Sequence, residues 1–507
     1  MAVVSGVLLG VAFLPAPLGF LAWVAFVPLL VALDRRVREE ASKRDLFGLG
    51  YSFGFVFYLI GVHWIALLSN VAITVPWLKY PACLAAAAYL AVFTGLTTLL
   101  GGWLARRSGA PLALTFPLAL LAIEELRGSG ELGFPWFQPG YTQHDYVPLI
   151  QMASLGSVSL VTLWLAFLNV LVWRAATAAG GRWRAASGAL LMLGLPWAWG
   201  MRVLDAAPRL AGPGTTVALV QGNIPGEMKW SGRHQPEILA TFLGLSAQAL
   251  KGTPRPALVI WPETATGSYL RRQREQAVAV EAFATRNRVP IFSGTPDWEI
   301  GDDGKVRQLN GAVWFGADGR VGPVYAKRHL VPFGERMPFQ AVFPALGRLE
   351  LGQAEWTPGT GTVLFPSPAG PFSCLVCFES IFPDLAREDV RRGARWLVNV
   401  TNDEWFGDSP ALYQHAAMAP FRAVENHVPL ARCANTGLTL FADAHGRVTS
   451  RLEVWTPGVL TATLAAPGRP TPFTRVGDWP GMLAGIVVGV LLLVGARRAL
   501  TARARAA

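Results

Sequence analysis

Apolar segments of membrane length, joined by short loops whose arginines fall on alternate sides, constrain this chain more than any other feature. Eight can be read, at about 2–14, 17–33, 48–68, 81–104, 110–125, 149–173, 185–203 and 480–496. A helix needs roughly 20 apolar residues to cross a bilayer core. Of the 507 residues 52% are hydrophobic and only 15% charged, and the excess is concentrated in these segments, so it marks membrane spans and not one large core. The first segment is short, but no basic stretch precedes it, and Pro15-Ala16-Pro17 has the look of a tight turn between two spans. The expectation is an uncleaved helical hairpin and not a signal peptide.

The loops orient these spans. Arg35, Arg36, Arg38, Lys43 and Arg44 follow the second, and Arg106 and Arg107 the fourth. Arg174, Arg182 and Arg184 follow the sixth, and Arg497, Arg498, Arg503 and Arg505 close the chain. The alternate loops carry little beyond Lys79 and Arg127. By the positive-inside rule the basic loops and both termini are cytoplasmic. The same arrangement makes the net charge of +11 a matter of topology, with no groove for nucleic acid. Three domains are expected: residues 1–204 with spans one to seven, a block at 205–478 outside the cytoplasm, and 479–507 with span eight and a basic tail.

That block is large enough for its own core. It alternates β-rich runs, at 216–221, 257–261, 290–294, 312–316, 372–378, 396–400 and 438–442, with helical stretches at about 235–250, 271–288, 383–393 and 411–427. Such alternation argues for a layered α/β domain. Its chemistry-bearing residues fall at or just beyond strand ends, where layered sheets place ligands. Glu263 follows Leu258-Val259-Ile260-Trp261, and Cys377 follows Cys374-Leu375-Val376. A thiol with a carboxylate and an ammonium, here Lys327, is a kit for covalent acyl chemistry: base, nucleophile and oxyanion partner.

Simpler readings compete with this one. A free cysteine is commonly a buried structural thiol, and four cysteines are too few for a disulfide scaffold. On an extended strand Cys374 and Cys377 would face opposite ways about 10 Å apart, beyond the roughly 7 Å limit for a bridge. No second cysteine pair or histidine cluster completes a zinc site, and no metal or cofactor is expected. Cys374 then reads as core and Cys377 as the thiol facing a pocket.

Local sequence around the trio is specific. Trp261-Pro262-Glu263, Lys327 and Cys377-Phe378-Glu379 resemble the three signature positions of the nitrilase (carbon–nitrogen hydrolase) superfamily, which implies an αββα sandwich. Within it, Gln221-Gly222-Asn223-Ile224-Pro225 with Lys229-Trp230, His329 to Glu335, Asn402 to Ser409, and Phe134-Pro135-Trp136 with Gly140-Tyr141 resemble the apolipoprotein N-acyltransferase family, over essentially the whole chain. Ala326, Glu404 and Cys433 depart from that family's usual Asp, small residue and Ser.

The resemblance implies Glu263 as general base, Lys327 as oxyanion partner and Cys377 as nucleophile. It also implies a phospholipid acyl donor, the sn-1 chain of phosphatidylethanolamine, and a diacylated apolipoprotein acceptor, at the periplasmic face of the inner membrane. Glu335, Phe378 and Glu379 are supporting candidates, and Trp230, Phe339 and Phe343 are candidate substrate contacts. The apolar stretch from Phe339 to Trp356, with Gly347 and Gly352 as hinges, reads either as a lid dipping into lipid or as local packing. Arg271, Arg272 and Arg274 read as a headgroup contact or a solvated helix face, His329 as structural, and His63 as a group snorkelling to an interface. Two other functions fit less: a membrane-tethered amidase passing its thioester to water, and a transporter or receptor with an outer binding domain.

Overall fold

A computed structural model describes residues 1–69, 75–207, 214–348 and 354–506. The chain divides into two compact units, one of residues 1–66, 77–206 and 476–507, the other of 67–76 and 207–475.

The first unit is helical. Among the described residues four stretches are long and apolar enough to cross a membrane, at Lys43–Leu67, Pro76–Arg107, Ala153–Thr177 and Trp479–Thr501. The other apolar segments form shorter or more polar helices. Ala2–Val11 has ten residues, and the stretch after Pro15-Ala16-Pro17 divides into a 3-10 turn, Gly19–Trp23, and the helix Val27–Arg38. Leu112–Arg127 carries Pro117 inside, and Arg182–Ala206 carries Pro196. Helices pack closely where side chains are small, as membrane helices do: a Cβ on Gly54 would lie 1.8 Å from Thr94 Oγ1, and one on Gly50 2.1 Å from Thr98 Oγ1. Two features depart from plain apolar helices. Ala153–Thr177 is interrupted by non-helical backbone at Gly156 and Ser157, and a buried Arg127 pairs with Glu124 while donating to the Phe134 carbonyl.

Among its described residues the second unit holds twelve strands in two six-stranded sheets. The first sheet contains β1 (Thr215–Gln221), β2 (Leu258–Trp261), β3 (Ile291–Ile300), β4 (Val306–Phe315), β5 (Val321–Ala326) and β12 (Gly458–Leu464), in the order β12-β1-β2-β3-β4-β5. The second contains β6 (Leu364–Phe365), β7 (Phe372–Val376), β8 (Trp396–Thr401), β9 (Leu430–Ala434), β10 (Thr439–Ala442) and β11 (Val448–Leu452), in the order β11-β10-β9-β8-β7-β6. In each sheet the three central strands run parallel, β1-β2-β3 and β7-β8-β9. They are covered on both faces, so β1, β2 and β7 read as largely apolar runs instead of alternating ones.

Helices Gln235–Ala249 and Arg274–Asn287 pack outside the first sheet, with Ile238, Leu239, Phe242 and Val280 against Val220, Val259 and Trp261. Pro383–Arg391 and Ala411–Asn426 cover the second, with Ala416, Ala419 and Ala423 against Leu375, Leu397 and Leu430. Between the sheets Phe292 meets Phe365 and Phe372 edge-on. Cys433 Sγ reaches the carbonyls of Val220 and Ile260 at 3.5 and 3.4 Å. The result is an αββα sandwich, and its central parallel strands end at one edge where the candidate residues collect.

Candidate active site

Glu263 leaves β2 through Pro262 and turns at Thr264, whose φ is +44°. The neighbouring strand tolerates this only because it presents Gly294: a Cβ there would fall 2.5 Å from Glu263 Cα. The Glu263 carboxylate is buried. Asn310 Nδ2 donates to Oε1 at 2.7 Å, and the backbone N–H of Asn402 donates to Oε2 at 2.8 Å. Lys327 follows β5, and its backbone N–H donates to the Asn310 carbonyl. Its Nζ lies 2.8 Å from Glu335 Oε2 and 3.8 Å from Glu263 Oε1. Asn310 Nδ2 also donates to Glu335, at 2.8 Å, so one amide ties both carboxylates together.

Cys377 corrects the sequence reading in one respect. The strand ends at Val376, not Phe378, and Cys377 opens the 3-10 turn Cys377–Ile381 with φ at +51°. A non-glycine residue adopts that left-handed conformation only when its surroundings impose it. Here Glu379 does so. It accepts the Val376 N–H at 2.7 Å, Tyr325 Oη at 2.8 Å and the Arg328 and His329 N–H groups at 2.6 and 3.2 Å. Extended-strand spacing from Cys374 therefore does not apply; both thiols are free and buried. Phe378 is buried, with its ring against His329 and Phe382.

The site's electrostatics follow from burial among few charges. Burial raises the Glu263 carboxyl and Lys327 opposes it, while Glu335 adds to the rise. Against burial, Glu335 and Glu263 hold Lys327 above the ordinary lysine range, so it stays an ammonium. Burial and the Glu263 charge push the Cys377 thiol well above the usual cysteine range. At rest the thiol is protonated, and its proton must leave as the sulfur attacks. His329 falls to about 4 through burial and the nearby Lys327, which makes it a neutral packing group.

A second polar group under Cys377 was absent from the sequence reading. His415 Nε2 sits 3.2 Å from the Cys377 carbonyl and from Ser380 Oγ, and its Nδ1 lies 2.9 Å from Asp403 Oδ1. Arg432 Nη2 donates to Asp403 Oδ2 at 2.6 Å. Cys377, Asp403 and His415 offer ligand atoms within 4.8 Å of one another, a spacing that could suit a metal. Asp403 is already committed, however: against burial, Arg432 and His415 hold its carboxyl below the ordinary range, and the guanidinium supplies the positive charge. Sequence signals did exist, namely an arginine inside the apolar run Leu430–Ala434 and a histidine inside a helix that is otherwise almost wholly buried.

The other candidates lie nearer the surface of this unit. Trp230, Phe339 and Phe343 are exposed, and Phe339 has a φ of +59°. Of the expected lid, Leu349, Leu351 and Gly352 lie outside the described residues; Pro344–Arg348 is a single 3-10 turn. Arg271 and Arg272 are neither a free cluster nor helical. Both bond the fully buried Asp297, at 2.7 and 2.9 Å, and Arg272 stacks on Trp298, because an unpaired buried carboxylate would be costly.

Comparison with known proteins adds to this geometry. Residues 5–171 match the family described as "Apolipoprotein N-acyltransferase N-terminal domain", and residues 216–469 match "Carbon-nitrogen hydrolase". Similar curated proteins include apolipoprotein N-acyltransferases of Geobacter metallireducens, 34% identical over 97% of this chain and 94% of that protein, and of Methylococcus capsulatus, 35% identical over 98% and 96%. The Bradyrhizobium diazoefficiens protein of the same name is 33% identical over 90% and 86%. Among solved structures, an amidase from Nesterenkonia sp. AN1 matches at 20% identity with a TM-score of 0.39, over 51% of this chain and 94% of its own.

Proposed function

The chain belongs to the apolipoprotein N-acyltransferase family, membrane enzymes that N-acylate lipoproteins, and on that premise we propose that its acyl donor is a phospholipid whose chain passes through a thioester on Cys377. The reading is carried by one observation: a protonated thiol on a strained turn is buried in the same site as a carboxylate of raised proton affinity and a fixed ammonium.

In the first half-reaction Glu263 takes the Cys377 proton as sulfur attacks the sn-1 ester carbonyl of phosphatidylethanolamine. Lys327, with a backbone N–H near Phe378, stabilises the oxyanion. The tetrahedral intermediate expels the glycerol oxygen, which recovers the proton from Glu263 and leaves as lysophospholipid. In the second, the α-amine of a diacylglyceryl-cysteine attacks the thioester, Glu263 takes the amine proton, and the amide forms as the Cys377 thiol is restored. Glu335 positions Lys327, and Glu379 positions the Cys377 turn. Trp230, Phe339 and Phe343 contact the lipid substrates, and the stretch from Phe339 serves as a lid.

The topology proposed with this chemistry keeps eight spans. The shorter apolar helices Ala2–Val11, Val27–Arg38, Leu112–Arg127 and Arg182–Ala206 would complete the set of which four are long and apolar enough on their own. Basic loops support cytoplasmic termini and a catalytic domain, residues 205–478, on the periplasmic side.

Steady-state kinetics test the scheme. Varying phosphatidylethanolamine against a diacylated lipopeptide should give parallel double-reciprocal lines, with lysophospholipid and N-acylated product formed one to one. Intersecting lines, or lysophospholipid released in excess of amide, would contradict it; the latter would favour a hydrolase.

A further inference from the structure

Beside the catalytic base lies a recess whose lining the mechanism above does not use in full. Ser69, Trp230, Asn402, Glu404 and Trp405 line a narrow, shallow surface crevice. It adjoins the reacting groups directly, because the Asn402 N–H that closes it is the donor to Glu263 Oε2 at 2.8 Å. Its chemistry is of one kind. Two indoles retain 39% and 37% of their surface, and a half-buried carboxylate lines the same crevice.

Glu404 is built into the site. Its Oε1 accepts the backbone N–H of Gly226, and a Cβ on Gly226 would lie 2.8 Å from that oxygen, so the chain brings bare backbone against the carboxylate. Its second oxygen has no hydrogen-bond partner among the described residues, and no cation lies within 4.0 Å of it there. Lys229 and Glu227 are the charges that bear on it. Lys229 is fully buried with its Nζ unbonded, so no lipid reaches it and it does not cap the carboxylate. An anionic group that shares a crevice with two indoles attracts an alkylammonium by charge and by cation–π contact together.

We propose that Glu404, with Trp230 and Trp405, holds the primary ammonium of a substrate next to the catalytic base. The inference deepens the function proposed above and rests on it. Two sources share this chemistry: the ethanolamine headgroup of the donor and the α-ammonium of the acceptor. Glu404 would then set donor selectivity in the first case and acceptor affinity in the second.

The test compares full-length wild type, Glu404→Gln and Glu404→Ala in lipid vesicles. The glutamine keeps an acceptor for Gly226 while removing the charge. The first arm measures the rate of acyl-thioester formation from phosphatidylethanolamine relative to phosphatidylglycerol, a ratio within each variant that cancels partial misfolding. The second measures KM for a diacylated lipopeptide with a free α-amine. A headgroup site predicts a ratio lowered about fivefold or more in both variants, and an acceptor site predicts a KM raised by about the same factor. If both quantities stay within about twofold of wild type, even with a lowered melting temperature, Glu404 only holds Gly226 or offsets Lys229, and the proposal falls. Wild-type thioester formation separates the two levels. Its absence overturns the proposed function together with this inference; its presence with ratio and KM unmoved overturns this inference alone.

Discussion

Replacing Glu335 with glutamine probes how the site divides one positive charge between two carboxylates. Lys327 Nζ stands 2.8 Å from Glu335 and 3.8 Å from Glu263. At an effective dielectric of about 20 these separations correspond to gross attractions of about 6 and 4 kcal/mol. The ammonium is therefore committed to Glu335, leaving Glu263 under-neutralised and with raised proton affinity. Glu335→Gln removes a like charge from beside Glu263 and frees Lys327 to close the remaining gap. Both changes stabilise the Glu263 anion.

Glu263 is needed ionised, so activity is lost as pH falls through its pKa, and this acid limb should move to lower pH in the variant. If about a quarter of the larger attraction is redistributed, the shift is about one unit, since one unit corresponds to about 1.4 kcal/mol. Above the limb the rate should fall about 100-fold, from a weaker base and a displaced oxyanion donor. Single-turnover thioester formation followed by intact mass across about pH 4 to 9 reads both quantities. An acid limb that stays put or moves up, with a wild-type plateau, would refute the charge-sharing argument.

Other outcomes follow from the same geometry. Glu263→Gln should cut thioester formation by about 100-fold or more and also lower the melting temperature, because the amide can accept from only one of its two buried donors, Asn310 Nδ2 and the Asn402 N–H. Asp403→Asn breaks a buried contact with Arg432 and His415 and should cost about 3–5 kcal/mol in denaturant unfolding of the full chain in detergent. Because the folded pKa of Asp403 is depressed, its stabilisation is fully present above its unfolded value of about 3.9 and lost as pH falls below it. Acid unfolding of the wild type in that window, absent in Asp403→Asn, checks the sign. Phe339→Ser with Phe343→Ser should raise the apparent KM for vesicle-borne donor several-fold while sparing kcat; an unchanged KM would make that stretch ordinary surface.

Much of the catalytic fold was legible because most of its central strands are largely apolar runs and its helices carry clear stripes. The seven expected strands all occur, five of them within about two residues at their ends, while β3 runs six residues further and β4 starts six earlier than expected. What escaped has physical reasons. β5 contains Pro323 and lies at a sheet edge, β6 has only two residues, β9 carries Arg432 at its centre, and β11 and β12 are half exposed, so none shows a buried strand's pattern. Glu263, Lys327 and Cys377 could be named from their local sequences. The turn that lifts Cys377 off its strand could not, since it depends on Glu379 collecting donors from Tyr325, Arg328 and His329, about fifty residues away. His415 and Arg432 were likewise invisible as partners, because only the folded sheet brings them beneath the nucleophile.

The account stands or falls on the covalent step. Intact mass spectrometry of the purified protein with phosphatidylethanolamine vesicles should show one acyl-sized increment on Cys377, cleared by a diacylated lipopeptide and by neutral hydroxylamine. The increment should be missing in Cys377→Ala but present in Cys374→Ala and Cys433→Ala, whose thiols are wholly buried. No increment on Cys377 under conditions where N-acylated product accumulates would contradict the thioester mechanism outright.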